Sequence, residues 1–279
     1  MTVLVNLIVT LGMLGIVPAG LRLIDPVALR GLARLWPLLA APGALCLWLP
    51  RGALAMVLAG LYAAATLALA ARAPARLLRT RSLAPPEIAV LTALVAPSVA
   101  GTALVAERGG HRLFGFDLDI LALTVPHFHF AGFVAALVAG LVCRAAPGSA
   151  GGLSRAAAYS VPAGTLLVLL GYFVDDWAEL VGAVVLTGGM WTVALLTWRE
   201  IRPRAGGRVT GALLSTSAAV LVATMLLALW WALGEATGIP HPTLTWMAAT
   251  HGLGNALGFA LCSMLAWHRL GSDLTEKTP

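Results

Sequence analysis

Charge is scarce in this chain. Its 279 residues include only 18 basic and 12 acidic side chains, against 59% hydrophobic residues, and one water-soluble core of this size cannot hide that much apolar surface. Soluble enzymes and disordered chains are excluded on that ground. Cysteine is rarer still. Cys46, Cys143 and Cys262 lie in apolar runs without the paired spacing of a zinc or redox motif, so a disulfide scaffold is excluded and the three read as small packing residues. Neither C-x-x-C-H nor H-E-x-x-H occurs, which leaves covalent haem attachment and a zincin mechanism without support. The short alternating strands of an outer-membrane barrel are missing too. The net charge of +6 would suggest a nucleic-acid partner in a soluble chain. Here the arginines sit in short loops between apolar runs, where they report topology, and no nucleic-acid partner is expected.

What the chain has in abundance is long hydrophobic runs. A span needs about 20 mostly apolar residues, and stretches near 2–20, 33–49, 52–73, 86–106, 126–143, 157–174, 177–198, 210–233 and 245–267 approach that length. The fold class expected is all-α: a polytopic transmembrane helical bundle of about nine spans. Eight remain possible, because only Pro50, Arg51 and Gly52 separate the second stretch from the third. Val17-Pro18-Ala19-Gly20 loosely resembles a signal-peptide cleavage site. No basic residue precedes the first run, however, so it is read as a span. With nine spans, all the basic residues except Arg51, Arg108 and Arg112 fall on one side. The positive-inside rule makes that side cytoplasmic, with the N-terminus outside and the C-terminus in the cytoplasm. The expectation is one multi-pass domain of the inner (cytoplasmic) membrane over residues 1–270, followed by a cytoplasmic tail at 271–279.

Most carboxylates and histidines fall on the opposite side, several of them inside apolar runs, where ionisable groups are costly and face a bundle interior or a wet cavity. Three segments carry the chemistry. In Thr124-Val125-Pro126-His127-Phe128-His129-Phe130, Pro126 suits the first position of a helix, which would put His127 and His129 in its first turn with positive dipole potential favouring the neutral ring. Residues two apart point about 200° apart on a regular helix, which argues against a shared metal. In Asp175-Asp176-Trp177-Ala178-Glu179, carboxylates three and four apart can meet on one helical face, so that one could hold and donate a proton; alternatively an aspartate simply caps the helix. In the third segment His251 and Asn255 share a face at i and i+4, beside a Gly254/Gly258 pair that lets another helix approach closely; the polar pair could also be interhelical glue.

The stretches Thr124–Phe133, of the form T-x-x-H-F-H-[FY]-A-G-F, and His251–Phe259, of the form H-G-x-x-N-A-x-G-F, resemble the YndJ-like family of bacterial membrane proteins. The resemblance implies a shared site at Thr124, His127, His129, His251 and Asn255 and leaves its chemistry open.

The reading expected from these residues is a membrane enzyme doing acid-base chemistry (isomerisation, cyclisation, ring opening or hydrolysis) on a lipophilic small molecule in an outward-facing cavity. His127 or His129 would take a proton, one of Asp175, Asp176 and Glu179 would give one, and His251 with Asn255 would hold the polar atom. Thr124, Phe128, Phe130 and Trp177 would contact the substrate within the lipid bilayer. No cofactor is expected. The alternatives are a transition-metal or haem site with His127, His129 and His251 as ligands, a proton-coupled transporter, and a scaffold whose polar residues are helix glue. Oligomeric state does not follow from the sequence.

Overall fold

The computed structural model describes residues 2–275. Among them there is no strand, and nine helical rods follow one another: α1 Val3–Ile24, α2 Arg30–Cys46, α3 Ala53–Thr80, α4 Pro85–Gly109, α5 Leu118–Ala145, α6 Gly148–Gly171, α7 Asp176–Arg204, α8 Arg208–Thr237 and α9, residues 244–275. Seven of them, all but α2 and α9, are long and apolar enough to cross a membrane. Glu276 and Lys277, placed by the sequence in the tail, lie outside the described residues.

Punctuation between rods follows local chemistry. Gly238 ends α8 at φ +74° and donates its amide to the Gly234 carbonyl, a left-handed cap that a residue with a Cβ adopts at a cost. Asp175 opens α7, its carboxylate accepting the Ala178 amide at 2.8 Å, and Thr243 opens α9 by accepting the Trp246 amide, as small polar caps do.

One boundary differs from expectation. α5 begins at Leu118, after Asp117, so Pro126 sits inside the helix and His127 and His129 lie in its third turn and beyond rather than its first. The apolar run from Leu118 extends the helix upstream, with Asp119 in its first turn suiting the positive end of the dipole. The backbone then widens into a π-turn at Phe128–Val134, one way a helix accommodates the missing donor of an internal proline. The dipole argument for the two histidines falls with that boundary.

The chain divides into two compact units. The first runs through Leu83 and resumes at Val90–Val134; the second takes Ala84–Ala89 and everything from Ala135. The first is built on α1, α2, α3 and the facing parts of α4 and α5. The core of the second is the seam of α6 with α7, where glycines replace side chains. A Cβ on Gly182 would stand 2.4 Å from the Val168 backbone nitrogen, and one on Gly164 2.5 Å from the Leu186 Cα. Backbone approach this close exposes each helix to the other's main-chain atoms and is the usual means of helix association in a bilayer.

Candidate functional site

In the first unit, the π-turn of α5 holds His129 with its side chain wholly buried. Nδ1 lies 2.7 Å from the Val125 carbonyl, which can only accept, so Nδ1 carries the proton and Nε2 accepts the Tyr62 hydroxyl at 2.5 Å. The rings of Tyr62 and His129 lie nearly parallel, 5.9 Å apart. Trp36 meets Tyr62 edge-on and donates its indole N–H to the Met13 carbonyl, within the π-turn of α1, Gly12–Ile16. Two glycines make room. A Cβ on Gly12 would press on the His129 Cβ at 3.2 Å, and one on Gly43 would overlap Tyr62 at 2.7 Å. His129 is thus locked in one tautomer with both nitrogens engaged. His127 is half-buried with its ring edge toward Phe128. Thr124 spends its hydroxyl on the Ile120 carbonyl one turn back, and Phe128 and Phe130 are buried core residues.

Beside this pair lies a second polar cluster, drawn from distant positions in the chain. Glu107 and Arg108, near the end of α4, are 2% and 7% exposed. Arg108 grips both oxygens of Glu107 through Nε and Nη2 and donates Nη1 to the carbonyls of Cys46 and Leu49. Glu107 Oε1 also accepts Arg51 Nε at 2.9 Å. Buried charges persist where they are paired and hydrogen-bonded in this way. Asn6 of α1 closes the same region, donating an amide N–H to the Leu47 carbonyl at 2.8 Å. These groups wall a cavity of about 50 Å³, with Asp119 and the apolar side chains of α1, α4 and α5 completing it. Val125, whose carbonyl His129 holds, is part of that wall. A local signal for the cluster exists: Glu107-Arg108 ends a long apolar run, where charge at membrane depth marks function. Nothing in spacing shows that Arg51, 56 residues away, reaches it.

In the second unit the expected residues take other arrangements. Asp175 is the helix cap described above. Asp176 and Trp177 are exposed, and Glu179 is buried, 8% exposed, at the point where Gly171 packs on its backbone. Asp176 and Glu235 are the carboxylates within electrostatic reach of Glu179. Glu235 itself pairs with His241 at 3.1 Å. His251 donates Nδ1–H to the Thr224 carbonyl at 2.8 Å, and its Nε2 accepts from Asn255 Nδ2 at 3.1 Å. The Asn255 Oδ1 accepts the Thr224 hydroxyl at 2.7 Å. This ring of hydrogen bonds joins α8 to α9, beside Gly254 and Gly258, whose Cβ atoms would overlap Thr224 and Val220. His127 and His129 belong to the first unit, and Asp175, Asp176, Glu179, His251 and Asn255 to the second.

His129 and His251 each have both ring nitrogens committed to protein partners, and a ligating imidazole needs one of them open. Among the described residues no group of three His, Cys, Asp or Glu is disposed to hold a metal ion.

Comparison with known proteins gives one family model, described as YndJ-like protein, which matches residues 7–259. No curated protein and no solved structure matches the chain. The family match includes both histidine-bearing stretches, the Arg51–Glu107–Arg108 cluster and nearly the whole helical array, and the chain therefore belongs to the YndJ-like family.

Proposed function

We propose that this protein is a multi-pass enzyme of the cytoplasmic membrane, with nine spans, its N-terminus outside and its C-terminus in the cytoplasm, doing acid-base chemistry on a lipophilic small molecule. The orientation rests on the arginine distribution. The chemistry rests on one observation: the cavity of the first unit combines apolar walls with an exposed carboxylate, Asp119, and a guanidinium, Arg51, whose terminal nitrogens have no partner among the described residues.

A carboxylate takes a proton from a C–H or from water, and a fixed cation stabilises the negative charge that develops on the substrate oxygen. Asp119 and Arg51 suit those two roles. The pair His129 and Tyr62 acts one step removed, as positioning residues, because His129 holds the backbone of Val125, a residue of the cavity wall. Glu107 and Arg108 hold Arg51 in place. In the second unit, the ring of Thr224, His251 and Asn255 sets the packing of α8 on α9. Asp175, Asp176 and Glu179 are not needed for the reaction.

The test is isotope transfer. Purified protein incubated with a total membrane lipid extract in D2O, and separately in H2-18O, is expected to label one lipophilic component, read by mass spectrometry. Asp119→Asn should lower the labelling rate by about a hundredfold or more, the usual contribution of a positioned acid or base. A folded wild-type protein that transfers neither label to any component would overturn the reading.

A further inference from the structure

The cavity that the proposed reaction uses also specifies the head of its ligand. We infer that it binds a single-chain amphiphile with an oxyanion head, a carboxylate or a phosphate monoester, seated on Arg51 and Asn6. This inference rests on the reading above only in sharing its cavity.

Arg51 is held by its Nε alone, on Glu107. Its Nη1 and Nη2 carry four N–H donors with no partner among the described residues, and its side chain is 45% exposed. An arginine anchored through Nε presents the flat end of its fork, the geometry that takes two oxygens of one anion. Asn6, 8% exposed, spends one amide N–H on Leu47, leaving its second N–H and its Oδ1 on a cavity wall. A side-chain amide on a cavity wall can donate to, or accept from, a polar atom of a ligand.

Charge agrees with the donors. Glu107 is shared by two guanidinium groups, so the triad carries one uncompensated positive charge. Asp119, the other carboxylate of the lining, is exposed and makes no ion pair with the triad among the described residues. Size separates head from tail. A chamber of about 50 Å³ takes the head and the first carbons, against Val5, Val9 and Leu123, and the rest of the chain continues into the bilayer. A molecule with two bulky acyl chains at its head would not enter.

The experiment measures binding of radiolabelled laurate to the full-length protein in nanodiscs, with dodecanol and acetate as competitors. Laurate is expected to bind saturably, one per chain. Dodecanol and acetate should each compete at least about tenfold more weakly, since one lacks the charge-assisted hydrogen bonds and the other the apolar contact. Arg51→Gln should weaken laurate by a similar factor while leaving dodecanol unchanged, and Arg51→Lys should recover part of the loss. Ala122→Phe, which fills the cavity without touching the ion pairs, should abolish laurate binding and guards against a misfolded arginine variant. Dodecanol competing as well as laurate would overturn the oxyanion assignment, and so would equal competition by acetate, which would leave a site for free anions only. Laurate binding without isotope transfer would sink the enzyme reading and leave this one standing. Isotope transfer without laurate binding would do the reverse.

Discussion

His129 and Tyr62 show how much a buried residue depends on its partner. The imidazole is fully enclosed and its Nε2 has the Tyr62 hydroxyl as its donor, so Tyr62→Phe removes one hydroxyl and leaves a buried acceptor unmet. The expected cost is about 1–3 kcal/mol of stability, measurable as a lowered thermal midpoint in detergent. Thr124→Val is the control, because the Thr124 hydroxyl only returns to the carbonyl one turn back and should matter little. At this scale the sequence was partly readable. His129, His251 and Asn255 stood out as polar groups in apolar runs, and the i, i+4 spacing of the last two matches their hydrogen bond at 3.1 Å. Tyr62, Asn6 and Arg51 did not stand out. Each acquires its role from a partner far away in the chain, and neighbouring residues carry no trace of that pairing.

Elements were readable to the extent that hydropathy defines them. The apolar runs became helices because an unpaired backbone group in lipid costs several kcal/mol and a helix satisfies its own. The π-turns at Gly12–Ile16, Phe128–Val134 and Ala248–Gly252 were not foreseen, since one inserted residue leaves the apolar pattern of an all-round hydrophobic helix unchanged. The start of α5 was misplaced for a related reason: a proline at a first turn and a proline inside a membrane helix look alike when the residues before it are also apolar. How the elements pack can be tested on α7. Gly182 faces the Val168 backbone at a distance that admits no Cβ, whereas Gly188 has nothing within 4 Å. Gly182→Ala should therefore destabilise the protein by about 1–3 kcal/mol or more, as overpacking does. Gly188→Ala should be neutral or stabilising by up to about 1 kcal/mol, from helix propensity. Equal thermal midpoints for the two variants would mean that α6 and α7 do not meet as described.

For the whole molecule, composition alone placed the chain among helical membrane proteins, and seven helices of sufficient length and apolarity agree with that. Composition could not locate the site. The polar residues of the first unit come from α1, from the α2–α3 turn, and from α4 and α5, and only the folded array turns four distant positions into one cavity with an anchored arginine and an exposed carboxylate. The central claim is that this cavity holds the molecule on which the protein acts. The most direct measurement is the mass spectrometric inventory of lipids that copurify with the wild-type protein and with Ala122→Phe, at matched thermal stability. One amphiphile close to stoichiometric with the wild type and depleted from the variant is the predicted result. Identical inventories from the two proteins would contradict it.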